Sequence, residues 1–157
     1  MPTYHVRPAT LDDADAMARH RLAMFSEMGT SIDAGSVDRA FRRWLADVMG
    51  TGAYQAWVVE TDARSIVAGG GMLVLPWPPG PHYLGGRIGF VYNVYTEPAH
   101  RRRGLAQGVM TAIHQWCRDH AIGVVGLNAS AAGQPMYEAM GYQVAPAPMM
   151  LVALDPS

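Results

Sequence analysis

Three things are scarce in this chain, and each absence closes off a class of function. Cysteine occurs once in 157 residues, at Cys117, so no disulfide framework can form within the chain. Charged residues make up 16% of it and sum to a net charge of −1, too little basic surface for a general nucleic-acid binder. Long apolar runs are missing too, and nothing approaches the roughly 18 apolar residues of a membrane span. Residues Met1 to Arg7 lack the apolar core of a signal peptide. The expected setting is the cytoplasm, with no membrane or nucleic-acid partner. The histidines form no H-x-x-x-H pair and no pairing with a carboxylate, so no metal is expected.

What is present suits one domain over residues 1–157. Half the residues are hydrophobic, enough for a substantial core. Tyr4 to Arg7 reads as a first strand, stopped by Pro8. Thr10 is placed as the N-cap of a helix whose stripe is Ala14, Met17, Ala18, Leu22 and Phe25 and which ends at Gly29. A second helix is expected from Ser36 to Met49. Strands are expected at Ala53 to Glu60 and Ser65 to Leu75, with Gly69-Gly70-Gly71 marking a bulge or close packing. The run Pro76 to Pro81 is a stiff exposed loop, in which Trp77 would be the one apolar anchor if the chain forms a homodimer. Ile88 to Thr96 is rich in β-branched and aromatic residues, as in a buried strand. From Leu105 an apolar stripe of Val109, Met110, Ile113, Trp116 and Cys117 gives a long helix, with Cys117 in the core rather than acting as a nucleophile. Gly123 to Ala129 is a further strand. A short helix from Ala131 to Met140 follows, with Ser130 as N-cap, and Tyr142 to Val144 and Met149 to Leu154 are closing strands.

The junction at residues 94–106 carries the most chemistry. A strand ends at Pro98, a short basic turn follows, and a helix begins with Gly104 in its first turn. A helix start leaves up to four N–H groups free and carries about half a positive charge, which suits a phosphate. Neither G-x-x-x-x-G-K-[ST] nor G-x-G-x-x-G occurs. What stands there is Arg101-x-x-Gly104-x-Ala106, which resembles the acyl-CoA-binding signature of the GNAT superfamily of N-acetyltransferases. A second stretch, Tyr137-Glu138-x-x-Gly141-Tyr142, is similar to the ending of the same family, although Ser130 stands where the family has asparagine. Asn128, two residues earlier, offers an amide in its place.

The resemblance implies the GNAT acyl-CoA N-acyltransferase fold, a mixed α/β domain with a central mixed sheet of about six to seven strands flanked by helices. It implies acetyl-CoA as co-substrate, with direct transfer of the acetyl group to a primary amine of a small molecule or peptide. Main-chain groups of Val94, Tyr95 and Thr96 would hold the pantetheine arm, and those of Arg102, Arg103, Gly104, Leu105, Ala106 and Gln107 the pyrophosphate. Tyr137 would protonate the leaving thiolate. A lysine-like amine is only about 0.04% neutral at pH 7, so a base or desolvation must help it. Glu27, at the end of the first helix beside Met24, Phe25 and Met28, ranks first as base, ahead of Glu97 and His82. A non-catalytic acyl-CoA-binding domain on the same fold is the alternative. No signature identifies the acceptor, whose site would be built from the first two helices, the proline loop and the closing strands.

Overall fold

The computed structural model describes residues 2–154. Five strands, β1 (Tyr4–Pro8), β2 (Tyr54–Thr61), β3 (Ile66–Pro76), β4 (Arg87–Thr96) and β5 (Val125–Leu127), lie side by side in chain order. The first four pair antiparallel and β5 joins β4 in parallel. Pro8 is tolerated because β1 is an edge strand, where a missing donor leaves no ladder partner unsatisfied.

Thr10 and Asp13 form a reciprocal capping box over a 3₁₀ turn (Leu11–Asp13), and helix α1 (Ala14–Glu27) starts directly behind it. Helix α2 (Ala34–Gly50) begins two residues before the expected start, with Asp33 bonded to Ser36 as its N-cap. Both lie on one face of the sheet, where Ala18, Phe41, Leu45, Tyr54 and Ala56 pack together. Helix α3 (Leu105–Asp119) covers the other face, with Val109, Met110, Ile113 and Cys117 against Val59, Met72 and Val91. Burying each of these large aliphatic side chains contributes about 1.5–3 kcal/mol. Cys117 is a core residue, its thiol 3.3 Å from the Met72 sulfur. No helix among the described residues is long and apolar enough to cross a membrane.

The end of the chain departs from expectation. Neither Tyr142–Val144 nor Met149–Leu154 forms a strand, so the sheet has five strands rather than six or seven. Strand-forming side chains do not make a ladder without an edge to pair with, and here β5 supplies three residues while Pro146 and Pro148 can donate no hydrogen bond. The last helix, α4 (Gln134–Ala139), is shorter than Ala131–Met140. Pro135 sits in its first turn and could not bond back to residue 131, so the helix cannot start at Ala131. Ser130 therefore caps the preceding turn, its hydroxyl accepting from the Gly133 N–H at 3.1 Å, and is not the N-cap of α4.

Candidate active site

β4 is kinked at one point, and that point organises the site. Tyr95 faces Gly69 and Tyr92 faces Gly71, so three steps on β4 answer two on β3. The extra residue falls at Asn93–Val94, and Asn93 takes φ of 62°, a left-handed conformation that asparagine accepts better than most. The bulge lies on β4, opposite the glycine run. The glycines give close packing instead. A Cβ on Gly71 would lie 2.1 Å from the Tyr54 hydroxyl oxygen, so Tyr54 can cross β3 only above a glycine. Its hydroxyl then accepts a hydrogen bond from Asn93 Nδ2 at 3.0 Å, and complete burial pushes its pKa up to about 12.

Beyond the kink β4 loses a neighbour. β5 pairs only with Gly89, Phe90 and Val91, while β4 runs on to Thr96 along β3. From Tyr92 to Thr96, the stretch containing Val94, Tyr95 and Thr96, one edge of β4 has no strand beside it among the described residues. An extended ligand can add to such an edge through main-chain hydrogen bonds. Asn128 lies exposed immediately after β5, where the two strands part.

The free edge leads into the basic turn. Gly104 is the N-cap of α3, one position outside the expected first turn, with φ of 75°. Arg102 is also left-handed, at 63°. No side chain caps α3, so the N–H groups of its first turn, at Leu105, Ala106 and Gln107, point outward from a helix end that favours an anion. A Cβ on Gly104 would meet nothing within 4 Å, which makes that surface open to an approaching group.

The arginines divide their work. Arg101 donates through Nε to the Thr96 carbonyl at 2.9 Å and through Nη2 to both oxygens of Glu27 at 2.8 Å. The Tyr95 hydroxyl donates to the same Glu27 carboxylate at 2.8 Å. The structure thus joins Glu27, Tyr95, Thr96 and Arg101 in one network that ties the end of α1 to the turn after β4. Arg101 and Tyr95 hold the Glu27 carboxyl below its usual range. A carboxylate held this way is a weaker proton acceptor, which weighs against the base role and for a bracing one. Arg103 reaches over the Tyr4 ring, and Arg102 is exposed.

Tyr137, on α4, is 8% exposed and packs into the core group that includes Leu105, Val109 and Val91. Its ring meets Tyr142 edge to face at 5.7 Å. Burial raises its pKa, so it stays protonated at neutral pH, and its hydroxyl donates to no described residue. A buried protonated phenol with an uncommitted proton is the equipment of a general acid.

On the α1–α2 side a cavity of about 330 Å³ opens beside the kink, walled by Arg21, Phe41, Trp44, Leu73, Tyr92 and Asn93 among others. The kink lets Tyr92 and Asn93, adjacent in sequence, both reach it. Among the described residues no carboxylate or imidazole lines it; His82 is exposed in the proline loop, and Glu97 is engaged by Arg19 at 2.9 Å and by buried His20 at 3.0 Å. Arg21, Asn93, Tyr54 and His20 were not expected from sequence. One signal was available: Arg21 stands four residues after Met17 and four before Phe25, a charge set within an apolar stripe.

Comparison with known proteins places this geometry. The model of the acetyltransferase (GNAT) family matches residues 17–142. A GCN5-related N-acetyltransferase from Ralstonia eutropha JMP134 is 32% identical, with 96% of this chain and 99% of that one aligned at a TM-score of 0.87. A predicted acetyltransferase from Clostridium acetobutylicum, solved with acetyl-CoA, shares the fold at 24% identity, with 96% of each chain covered and a TM-score of 0.86. Glucosamine-6-phosphate N-acetyltransferase from Arabidopsis thaliana shares it at 18% identity, over 98% of this chain and 99% of that one, with a TM-score of 0.71. No curated protein matches the chain.

Proposed function

Because the chain belongs to the GNAT family of acetyltransferases, we propose that it moves the acetyl group of acetyl-CoA to a primary amine by direct attack while both are bound. The observation that carries this is the continuity of three features: a β4 edge free from Tyr92 to Thr96, a left-handed turn at Arg102 and Gly104, and an uncapped α3 N-terminus. Acetyl-CoA supplies an activated acyl carbonyl. The free edge, at Val94, Tyr95 and Thr96, binds its pantetheine amides as an added strand. The N–H groups from Arg102 to Gln107 hold its pyrophosphate, with Asn128 and Ser130 at the mouth between β4 and β5. Family membership and the solved relative with acetyl-CoA support this assignment.

Tyr137 gives its proton to the departing sulfur, and the raised pKa keeps that proton in place until it is needed. The acceptor enters from the α1–α2 side. With no base on the cavity wall among the described residues, its ammonium loses a proton to water, helped by apolar walls that favour the neutral amine. Glu27 braces the turn through Arg101. The test is thiol release from acetyl-CoA over a panel of primary amines. Turnover with at least one amine class is expected; acetyl-CoA binding with no turnover across the panel would overturn the transferase reading in favour of a sensor.

A further inference from the structure

Three arginines are partly buried, and they differ in what balances them. Arg7 meets Asp13 at 2.8 Å and Glu60 at 3.1 Å, and Arg42 meets Asp15 and Asp38. Arg21 pairs with no carboxylate among the described residues. It lies 4.9 Å from the Phe25 ring centre and 5.1 Å from that of Phe41, and donates through Nη1 to Asn93 Oδ1. Asn93 is itself oriented by Tyr54, so its carbonyl oxygen stays turned to the guanidinium. An amide satisfies one donor but brings no negative charge. Desolvation accordingly lowers the pKa of Arg21 from its usual value. Setting a cation among aromatic rings without a counter-charge is costly, and an arriving anion removes that cost.

The cation sits in the wall of the 330 Å³ cavity, the size of a small-ligand site. We propose that the acceptor is an amine that also carries a carboxylate on an apolar or aromatic body, an amino acid in its simplest form, with Arg21 pairing that carboxylate. The claim rests on the acetyl-transfer reading above. Arg21 is the only cation in the lining among the described residues. A carboxylate brings one charge, whereas a phosphate brings ~1.5–2 and would be left partly unbalanced. A guanidinium with one nitrogen given to Asn93 retains donors that match a planar carboxylate. Phe41, Trp44, Leu73 and Tyr92 supply the apolar walls. Asn93 links the two halves of the site: its side chain holds Arg21, and its main chain is the kink beyond which the β4 edge is free.

The experiment compares phenylalanine, phenylalaninamide and phenethylamine as acceptors with acetyl-CoA, in the wild type and in Arg21→Gln and Arg21→Lys. In the wild type, kcat/KM for phenylalanine should exceed that of the other two roughly 10- to 100-fold, mainly through KM, as one charge-assisted contact provides. Arg21→Gln should collapse the ratio towards one and Arg21→Lys should keep part of it. Equal use of the three amines by the wild type, or an equal loss on all of them in Arg21→Gln, overturns the proposal. N-acetylphenylalanine, which keeps the carboxylate, separates this claim from the transfer reading. If no amine is turned over, calorimetric binding of that compound by the wild type and not by Arg21→Gln still supports the site, and equal or absent binding in both overturns it.

Discussion

On the α3 side of β4, what a ligand can use is main chain: the strand edge from Tyr92 to Thr96 and the N–H groups that open α3. On the α1–α2 side it is side chain: Arg21, Trp44, Leu73 and Asn93, drawn from four elements, with Arg21 and the Asn93 it bonds 72 positions apart. Main-chain recognition needs a local chain path, and a path is encoded by a glycine, a proline and a spacing within a dozen residues. Side-chain recognition needs only that distant residues meet in space. One half of the site leaves a short written pattern and the other leaves none.

The largest expected effect is at a side chain that acts on the main-chain half. Tyr137→Phe keeps the ring against Tyr142 and the core but removes the proton. kcat should fall by about 10²–10⁴-fold with acetyl-CoA affinity nearly unchanged, the signature of a lost general acid. Pre-steady-state rates together with a calorimetric titration check both halves of that statement. A wild-type rate would show that solvent protonates the sulfur and that Tyr137 only packs.

Next comes the contrast between glycine and arginine at the turn. Gly104→Val forces a β-branched residue to a φ of 75° and puts methyl groups on the surface left open at the start of α3. CoA affinity should drop by at least about 100-fold, since the anion site itself is distorted. Arg102→Ala should cost at most about 1–2 kcal/mol, one charge-assisted contact. Similar losses in the two variants, measured by calorimetry, would erase the distinction between main-chain and side-chain recognition on this side.

On the acceptor side the corresponding glycine is Gly71. A Cβ there falls 2.1 Å from the Tyr54 hydroxyl, so Gly71→Ala must push Tyr54 off Asn93. Overpacking of this kind costs about 1–3 kcal/mol in chemical denaturation. Gly80→Ala, where nothing lies within 4 Å, should change stability far less and is the matched control. If the two variants are equally stable, Tyr54 is not fixed by the glycine and the orientation of Asn93 needs another cause.

Much of the architecture was legible because it rests on local rules. β2, β3, β4, α2 and α3 stand within two residues of their expected bounds, since each has an unbroken pattern between clear stops. The closing strands failed because the apolar run from Met149 to Leu154 reports what a segment can do, while pairing depends on an edge that a three-residue β5 does not extend to them. The shortened α4 was legible after all: Pro135 outweighs the capping signal of Ser130. In the site, the pattern from Arg101 to Ala106 announced the turn. It did not announce that Arg101 spends its charge on Glu27, because that contact spans 74 residues. Gly69-Gly70-Gly71 reads in sequence as a bulge or as close packing; close packing is what the structure shows, and the extra residue lies opposite it on β4, since the two leave the same local trace.

The smallest expected effect concerns His20, which lies beneath the acceptor side of β4 with 5% exposure. Its Nε2 is 3.0 Å from Glu97 Oε1, and its ring is 5.3 Å from that of Tyr95. A carboxylate only accepts, so Nε2 carries the proton of the neutral ring. Burial lowers the His20 pKa, and the attraction of Glu97 opposes this without overcoming it. The unfolded imidazole titrates near 6.5, so on acidification the unfolded chain takes up its proton first. Stability from this group is therefore full above about pH 6.5 and declines as pH falls from there towards the lower folded value. His114, lowered by burial and bonded to Tyr142 at 2.6 Å, adds to the same window. Glu97 is also lowered, through Arg19 and His20, so its contribution is lost at lower pH, below the ordinary carboxylate value. Denaturant titrations from pH 8 to pH 5 should show a falling midpoint. His20→Gln, which keeps an N–H donor for Glu97, should flatten part of the fall, and adding His114→Gln should flatten the rest. A midpoint that rises on acidification would mean that the Glu97 attraction outweighs burial and that His20 is charged in the folded protein.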